Sequence, residues 1–173
     1  MFLLVLVLAS RNRNKIRELK DLLQDVATIK DVDDYPGMPE VAETGSTFTE
    51  NAILKATAVS EYTGLAALAD DSGLEVKALD GAPGVNSARF SGPGATDASN
   101  RGKLLAELHE VASEDRHARF VCCVALVVPG EPVWTACGTH EGRILESPAG
   151  TGGFGYDPLF YSFELQATFA QVA

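Results

Sequence analysis

Apolar positions along this chain fall into runs of three kinds, and each kind predicts a different element. The opening stretch, Met1 to Ala9, is continuously apolar, the pattern of a strand buried on both faces. It is too short to span a bilayer, and it lacks the basic segment and spaced small-residue cleavage site of a signal peptide. Behind it, Ile16, Leu19, Leu22, Leu23 and Val26 recur at helical spacing and predict an amphipathic helix from about Asn14. Thr47-x-x-Glu50 is a capping box opening a second helix that carries Ala52, Ile53, Ala56 and Val59. Leu65–Ala69 and Leu74–Leu79 read as strands on either side of a turn, Asp70-Asp71-Ser72-Gly73. Asp97 is the expected cap of a third helix bearing Leu104, Leu105, Leu108 and Val111. Phe120–Val128, the turn Pro129-Gly130-Glu131-Pro132 and Val133–Cys137 read as a long hairpin. Ser147–Phe160, rich in Gly and Pro, reads as a functional loop feeding a short strand. Strands and helices mix without strict alternation, which predicts an α/β fold built on a mixed sheet with flanking helices.

Length and composition narrow the function. A chain of 173 residues, 46% apolar and 22% charged, is expected to form one globular domain over 1–173. A net charge of −10 argues against a nucleic-acid polymer as partner, because that work needs a basic stripe. A small phosphorylated ligand, held by a few local lysines and amides, stays compatible. Cys122 and Cys123 are adjacent in an apolar strand and should face opposite sides. With Cys137 they show no metal-ligand spacing, and three reduced thiols in a cytoplasmic protein are expected.

Several polar clusters can carry chemistry. Ser10-x-Asn12-x-x-Lys15 lies where the first strand turns into a helix, and helix N-termini attract phosphate. No Walker loop occurs anywhere in the chain. Thr47, Asn51 and Lys55 repeat every fourth residue and share one helical face, just after Glu43-Thr44-Gly45. A Glu43 that approaches Asp71 could hold Mg²⁺ with it, while Lys15 and Lys55 contact phosphate. Gly150-Thr151-Gly152-Gly153-Phe154-Gly155 satisfies the dinucleotide fingerprint, yet a polar segment precedes it where a strand is required. Its aromatic residues Phe154 and Tyr156 beside Asp157 suit base recognition better, by stacking and edge hydrogen bonding.

At this level of detail the chain resembles a known family. The motifs are Ser10-x-Asn12-x-x-Lys15, Glu43-Thr44-Gly45 with Phe48-x-Glu50-Asn51-Ala52, and Asp70-Asp71-Ser72-Gly73-Leu74. With them go Gly81-Ala82-Pro83-Gly84-Val85 with Ser87-Ala88-Arg89, and Gly152-Gly153-Phe154-Gly155-Tyr156-Asp157-Pro158. In this order and spacing they are similar to the inosine triphosphate pyrophosphatase (Ham1/RdgB) family, from Leu3 to about Tyr161. The resemblance implies a mixed, elongated sheet in two lobes, a homodimer, and Mg²⁺-dependent release of pyrophosphate from dITP, ITP and XTP. Carried over residue by residue, it implies that Ser10, Arg11, Asn12, Arg13, Asn14 and Lys15 form the triphosphate-binding loop. Glu43 and Asp71 match the metal carboxylates, and Asp71 with Asp70 the proton acceptor, assisted by Lys15 and Lys55. Asn51, Ser72, Phe154, Gly155, Tyr156 and Asp157 match substrate contacts.

The tail departs from the family. A Lys shortly after the Phe154–Pro158 segment and a Ser-His-Arg sequence before a final helix are expected. Here Ala167 stands at the Lys position and the His-Arg pair is absent, so the closing family segment is expected to be missing and selectivity against ATP to be poor. Two alternatives follow: a pyrophosphatase with another base preference, or a non-catalytic nucleotide-binding protein. The intact Asp70, Asp71, Glu43, Lys15 and Lys55 argue against the second.

Overall fold

Parallel strands need a crossover, and the first helix supplies one. In the computed structural model, which describes residues 4–172, β1 (Leu4–Leu8) leads through α1 (Arg13–Leu23) to β2 (Ala27–Asp31). β1 and β2 pair in parallel, Leu6 opposite Ile29, and β1 pairs in parallel with β3 (Ala66–Val76), Leu6 opposite Ala66. Between β2 and β3 lies α2 (Phe48–Thr63). The seven-stranded mixed sheet has the order β2-β1-β3-β4-β5-β6-β7, with β4 (His117–Val127), β5 (Trp134–Ile144), β6 (Phe160–Ser162) and β7 (Ala167–Thr168). The expected Phe120–Val128 hairpin is β4 and β5, with β5 running further than the apolar pattern indicated. Residues Met1 to Leu3 of the apolar opening lie outside the described residues.

Contacts divide the chain into two compact units. The first comprises the residues up to Asp71 with Cys122–Cys137; the second comprises Ser72–Val121 with the residues from Gly138 onward. In the first unit β3 is covered on both faces. Val7, Ala9, Ala67 and Ala69 pack with Ala52, Ala56 and Val59 of α2. Leu6, Ala66 and Leu68 pack with Leu23 of α1 and with Ala27. Alternation along the strand assigns odd positions to α2 and even ones to α1. The Thr47 hydroxyl accepts from the Glu50 amide and the Glu50 carboxylate from the Thr47 amide, the predicted capping box. Gly64, at φ 68°, ends the helix with its N–H donated to Ser60. In α1 the helical pattern overstates burial: Ile16 is buried, but Leu22 is 76% and Val26 63% exposed.

The second unit has its own core: Leu74, Val76, Leu104, Leu108, Ile144, Tyr156, Leu159 and Phe160. Here α3 (Asp97–Glu107) is capped by Thr96, whose hydroxyl accepts from the Ser99 amide, and not by Asp97 as expected. Asp97 is freed for a loop contact instead. The closing α4 (Phe169–Val172) follows β7, and Phe169 lies on Phe120 at 5.5 Å between ring centroids. Among the described residues no helix is long and apolar enough to cross a membrane.

Two further expectations are corrected. Asp70-Asp71-Ser72-Gly73 is no turn; β3 runs straight through it from Ala66 to Val76. Turn residues tolerate a strand when each polar side chain finds a partner, and here the adjacent carboxylates do so on opposite faces of a central strand. The cysteines are not all reduced: Cys123 and Cys137 form a disulfide, their Cα atoms 4.1 Å apart. They lie on neighbouring strands of one hairpin, where directly opposed residues come this close. Cys122 points the other way, exposed and free, as alternation requires. The thiol-based ground for a cytoplasmic location therefore lapses.

Candidate active site

The first unit brings Glu43, Asn51, Lys55 and Asp71 together. Asn51 and Lys55 are one turn apart on α2 and face the odd side of β3, where Asp71 projects. The Asn51 amide donates to Asp71 Oδ2 at 3.0 Å, and its Oδ1 accepts from the Gly45 N–H at 2.8 Å. Lys55 Nζ lies 2.7 Å from Glu43 Oε1 and 3.6 Å from Asp71 Oδ1. One ammonium thus gathers both predicted metal carboxylates. Gly45 is what lets the Glu43 segment approach: a Cβ there would sit 2.7 Å from Asn51 Oδ1 and from Glu50 Cβ. The expected polar stripe is therefore buried at Asn51, which is 0% exposed, with its amide oxygen and nitrogen both in use.

Burial raises the Asp71 carboxyl above its usual 3.8, outweighing the pull of Lys55 and the Asn51 amide, while nearby Glu43 adds to the rise. Asp70 points to the α1 side, where Lys15 Nζ lies 2.6 Å from its Oδ2. The structure therefore separates the two carboxylates that were expected to work side by side. Lys15 is likewise engaged on the face opposite Asn51 and Lys55. Among the described residues no group of three or more His, Cys, Asp or Glu side chains gathers as a metal cage.

In the Ser10–Lys15 segment Asn12 caps α1. Its side chain accepts from the amides of Asn14 and Lys15, at 3.0 and 3.3 Å, and Ser10 Oγ accepts from the Asn12 amide. Part of the amide set expected for phosphate is thus already satisfied. Arg13 is exposed, Asn14 half-buried, and Arg11 donates to the Met38 carbonyl at 3.1 Å.

In the second unit Ser72 is half-buried on β3, and Phe154–Asp157 form a tight loop. Asp157 Oδ2 accepts from the Phe154 amide at 2.8 Å. Gly153 and Gly155 adopt φ 68° and 58°. Tyr156 is a core side chain whose hydroxyl donates to the Ser87 carbonyl at 2.8 Å, and burial pushes its pKa well above the usual 10.0. β5 ends at Ile144 and residues 145–149 are irregular, so no strand runs directly into this loop, in keeping with rejection of the dinucleotide fingerprint.

A family model matches residues 6–173, and its description is Ham1 family. The chain belongs to the Ham1 family. Within it, a dITP/XTP pyrophosphatase of Geobacter sulfurreducens is 52% identical over 168 residues, 96% of this chain and 84% of that protein. The Staphylococcus aureus Ham1 protein superposes with a TM-score of 0.87 at 41% identity, covering 98% of this chain and 86% of that one. The nucleoside-triphosphatase / dITP/XTP pyrophosphatase of Mycobacterium abscessus gives 0.83 at 42% identity, covering 98% and 90%. The resemblance noted in the motifs and the mixed sheet with flanking helices both agree with these matches.

Sequence reasoning missed Asp97 and Arg101. Gly155 donates its N–H to Asp97 Oδ2 at 2.8 Å, and its carbonyl accepts from Arg101 Nη1 at 2.6 Å. Their spacing by four on α3 placed them on one face, but nothing local pointed to a loop more than fifty residues away.

Proposed function

We propose that this chain hydrolyses non-canonical purine nucleoside triphosphates (dITP, ITP and XTP) to the monophosphate and pyrophosphate. The observation that supports this best is the convergence of Glu43 and Asp71 on Lys55, with Asn51 aligning Asp71, in a chain half identical to a dITP/XTP pyrophosphatase. Two hard oxygen donors at one cationic point fit Mg²⁺, which takes one or two protein carboxylates and completes its shell with water and phosphate oxygens. Glu43 and Asp71 would hold it. Bound there, the ion would neutralise charge on the triphosphate.

The remaining roles fall to the chain's own residues. Asp71 accepts the proton of the water that attacks the α-phosphorus, and Asn51 keeps its carboxylate in place. Lys55, released from its carboxylates, and Lys15 with the Ser10–Asn14 segment stabilise the departing pyrophosphate. Ser72 and the Phe154–Asp157 loop contact the nucleoside, Phe154 by stacking. A homodimer and a cytoplasmic location, where nucleotide pools reside, belong to the same proposal. Product analysis with ITP, dITP, XTP, ATP and dTTP at alkaline pH with Mg²⁺ tests the chemistry. Monophosphate plus pyrophosphate is expected, and diphosphate plus phosphate would overturn it.

A further inference from the structure

The loop proposed to contact the base is gripped by two charged side chains of α3. Gly155 is half-buried, so water could satisfy its peptide. Instead, α3 grips both polar atoms of that residue, Asp97 the N–H at 2.8 Å and Arg101 the carbonyl at 2.6 Å. Hydrogen bonds with an ionised partner are shorter and roughly twice as strong as neutral ones. The helix is itself anchored to the same place as the loop: the Ser87 carbonyl accepts from the Asn100 amide at 3.3 Å and from the Tyr156 hydroxyl at 2.8 Å. On the other flank, the Asp157 carboxylate fixes the Phe154 amide, and a Cβ at Gly153 would collide with that carboxylate. Both peptides that flank Phe154 are thus held, and with them the backbone position from which its side chain projects.

We infer that Asp97 and Arg101 are positioning residues for base recognition, setting the Phe154 platform against which a purine stacks. This rests on the activity proposed above. It predicts a split between the two ends of the substrate. Arg101→Ala and Asp97→Ala raise KM for ITP by about tenfold, the scale of one charge-assisted hydrogen bond, with kcat little changed. Competitive inhibition by inorganic tripolyphosphate, which has no base, stays at the wild-type level. Asp97→Asn keeps an acceptor for the Gly155 amide and restores most of the affinity. Arg101→Lys, which loses the planar fork, falls between and serves where an alanine variant does not fold. Hydrogen exchange gives a readout independent of turnover: amides 153–157 exchange faster in Asp97→Ala while those of α2 do not. An unchanged KM for ITP, or ITP and tripolyphosphate weakening together, would overturn the inference although the parent chain remains active. A parent chain that releases no pyrophosphate from ITP, dITP or XTP would overturn the activity itself, and the inference with it.

Discussion

Replacing Asn51 with Ala removes a side chain that, alongside Lys55, joins the Glu43 segment to Asp71, and its cost can be worked out in pieces. The Asp71 carboxylate loses a donor at 3.0 Å, and a hydrogen bond to a charged group contributes about 1.5–3 kcal/mol. The Gly45 N–H loses its acceptor at 2.8 Å, and a buried donor left without a partner costs about 1–3 kcal/mol. Gly45 lies on a half-buried segment that water can reach, and Lys55 still faces Asp71 at 3.6 Å. These reduce the expected loss to about 2–4 kcal/mol. Urea unfolding of the metal-free chain in EDTA measures it. Pairing the variant with Asp71→Ala closes a double-mutant cycle, and a coupling of about 1–2 kcal/mol is expected. The loss should also depend on pH. A carboxyl whose pKa is raised by folding binds its proton more tightly in the native state, so stability falls as pH climbs from the usual 3.8 through the native value. The Asn51 amide opposes that rise, so the fall deepens in Asn51→Ala. Additivity within about 0.5 kcal/mol, with an unchanged pH profile, would refute the assignment of Asn51 as the aligning group.

Asp71→Asn should reduce turnover by about 10²–10⁴-fold, the worth of a general base, while the melting temperature of the metal-free chain holds or rises because a buried charge is removed. Activity within a few-fold of the parent chain would remove Asp71 from the mechanism. Gly45→Ala should cost about 1–3 kcal/mol through overpacking against Asn51 and Glu50, with kcat falling as Glu43 is pushed from Lys55; wild-type melting and kcat would show that the close approach is dispensable. Reducing the Cys123–Cys137 bond, which spans 14 positions, should lower stability by up to about 3 kcal/mol in the chain-entropy account, read as a shifted denaturation midpoint with and without reductant.

What the sequence revealed of this fold was mostly local. The α2 capping box, the strand-to-helix passage at Ser10–Lys15 and the glycine-rich loop each depend on residues a few positions apart. All three stand where the pattern put them. The strand through Asp70–Gly73 was illegible because turn residues reveal their partners only in three dimensions, here Lys15 on one side and Asn51 on the other. Leu22 and Val26 carried a helical period whose outer members nothing covers within the described residues of their unit. The disulfide depended on hairpin register, and the grip of Asp97 and Arg101 on Gly155 spans half a hundred residues. Of the candidate site, the residue types and the approach of Glu43 to the Asp71 region were readable in advance. That Lys55 would sit on both carboxylates was not, nor that Asp70 and Asp71 serve different helices.

That division of the aspartate pair also solves an alignment problem. Leu65-Ala66-Ala67-Leu68-Ala69 is apolar throughout, and with both faces covered such a strand has little to stop it sliding one position along its neighbours. The two carboxylates act as a ratchet tooth. A slide one way keeps an acid opposite Asn51 and Lys55 but presents Ala69 to Lys15. A slide the other way keeps an acid opposite Lys15 but offers Ser72 to Lys55. The first error strands the largely enclosed Lys15 ammonium, a penalty of about 3–5 kcal/mol for a fully buried pair and somewhat less for this partly solvated lysine. The second leaves the buried Asn51 amide without its carboxylate and Lys55 with Glu43 alone. The pair that equips the site therefore also tells the central strand where to stop.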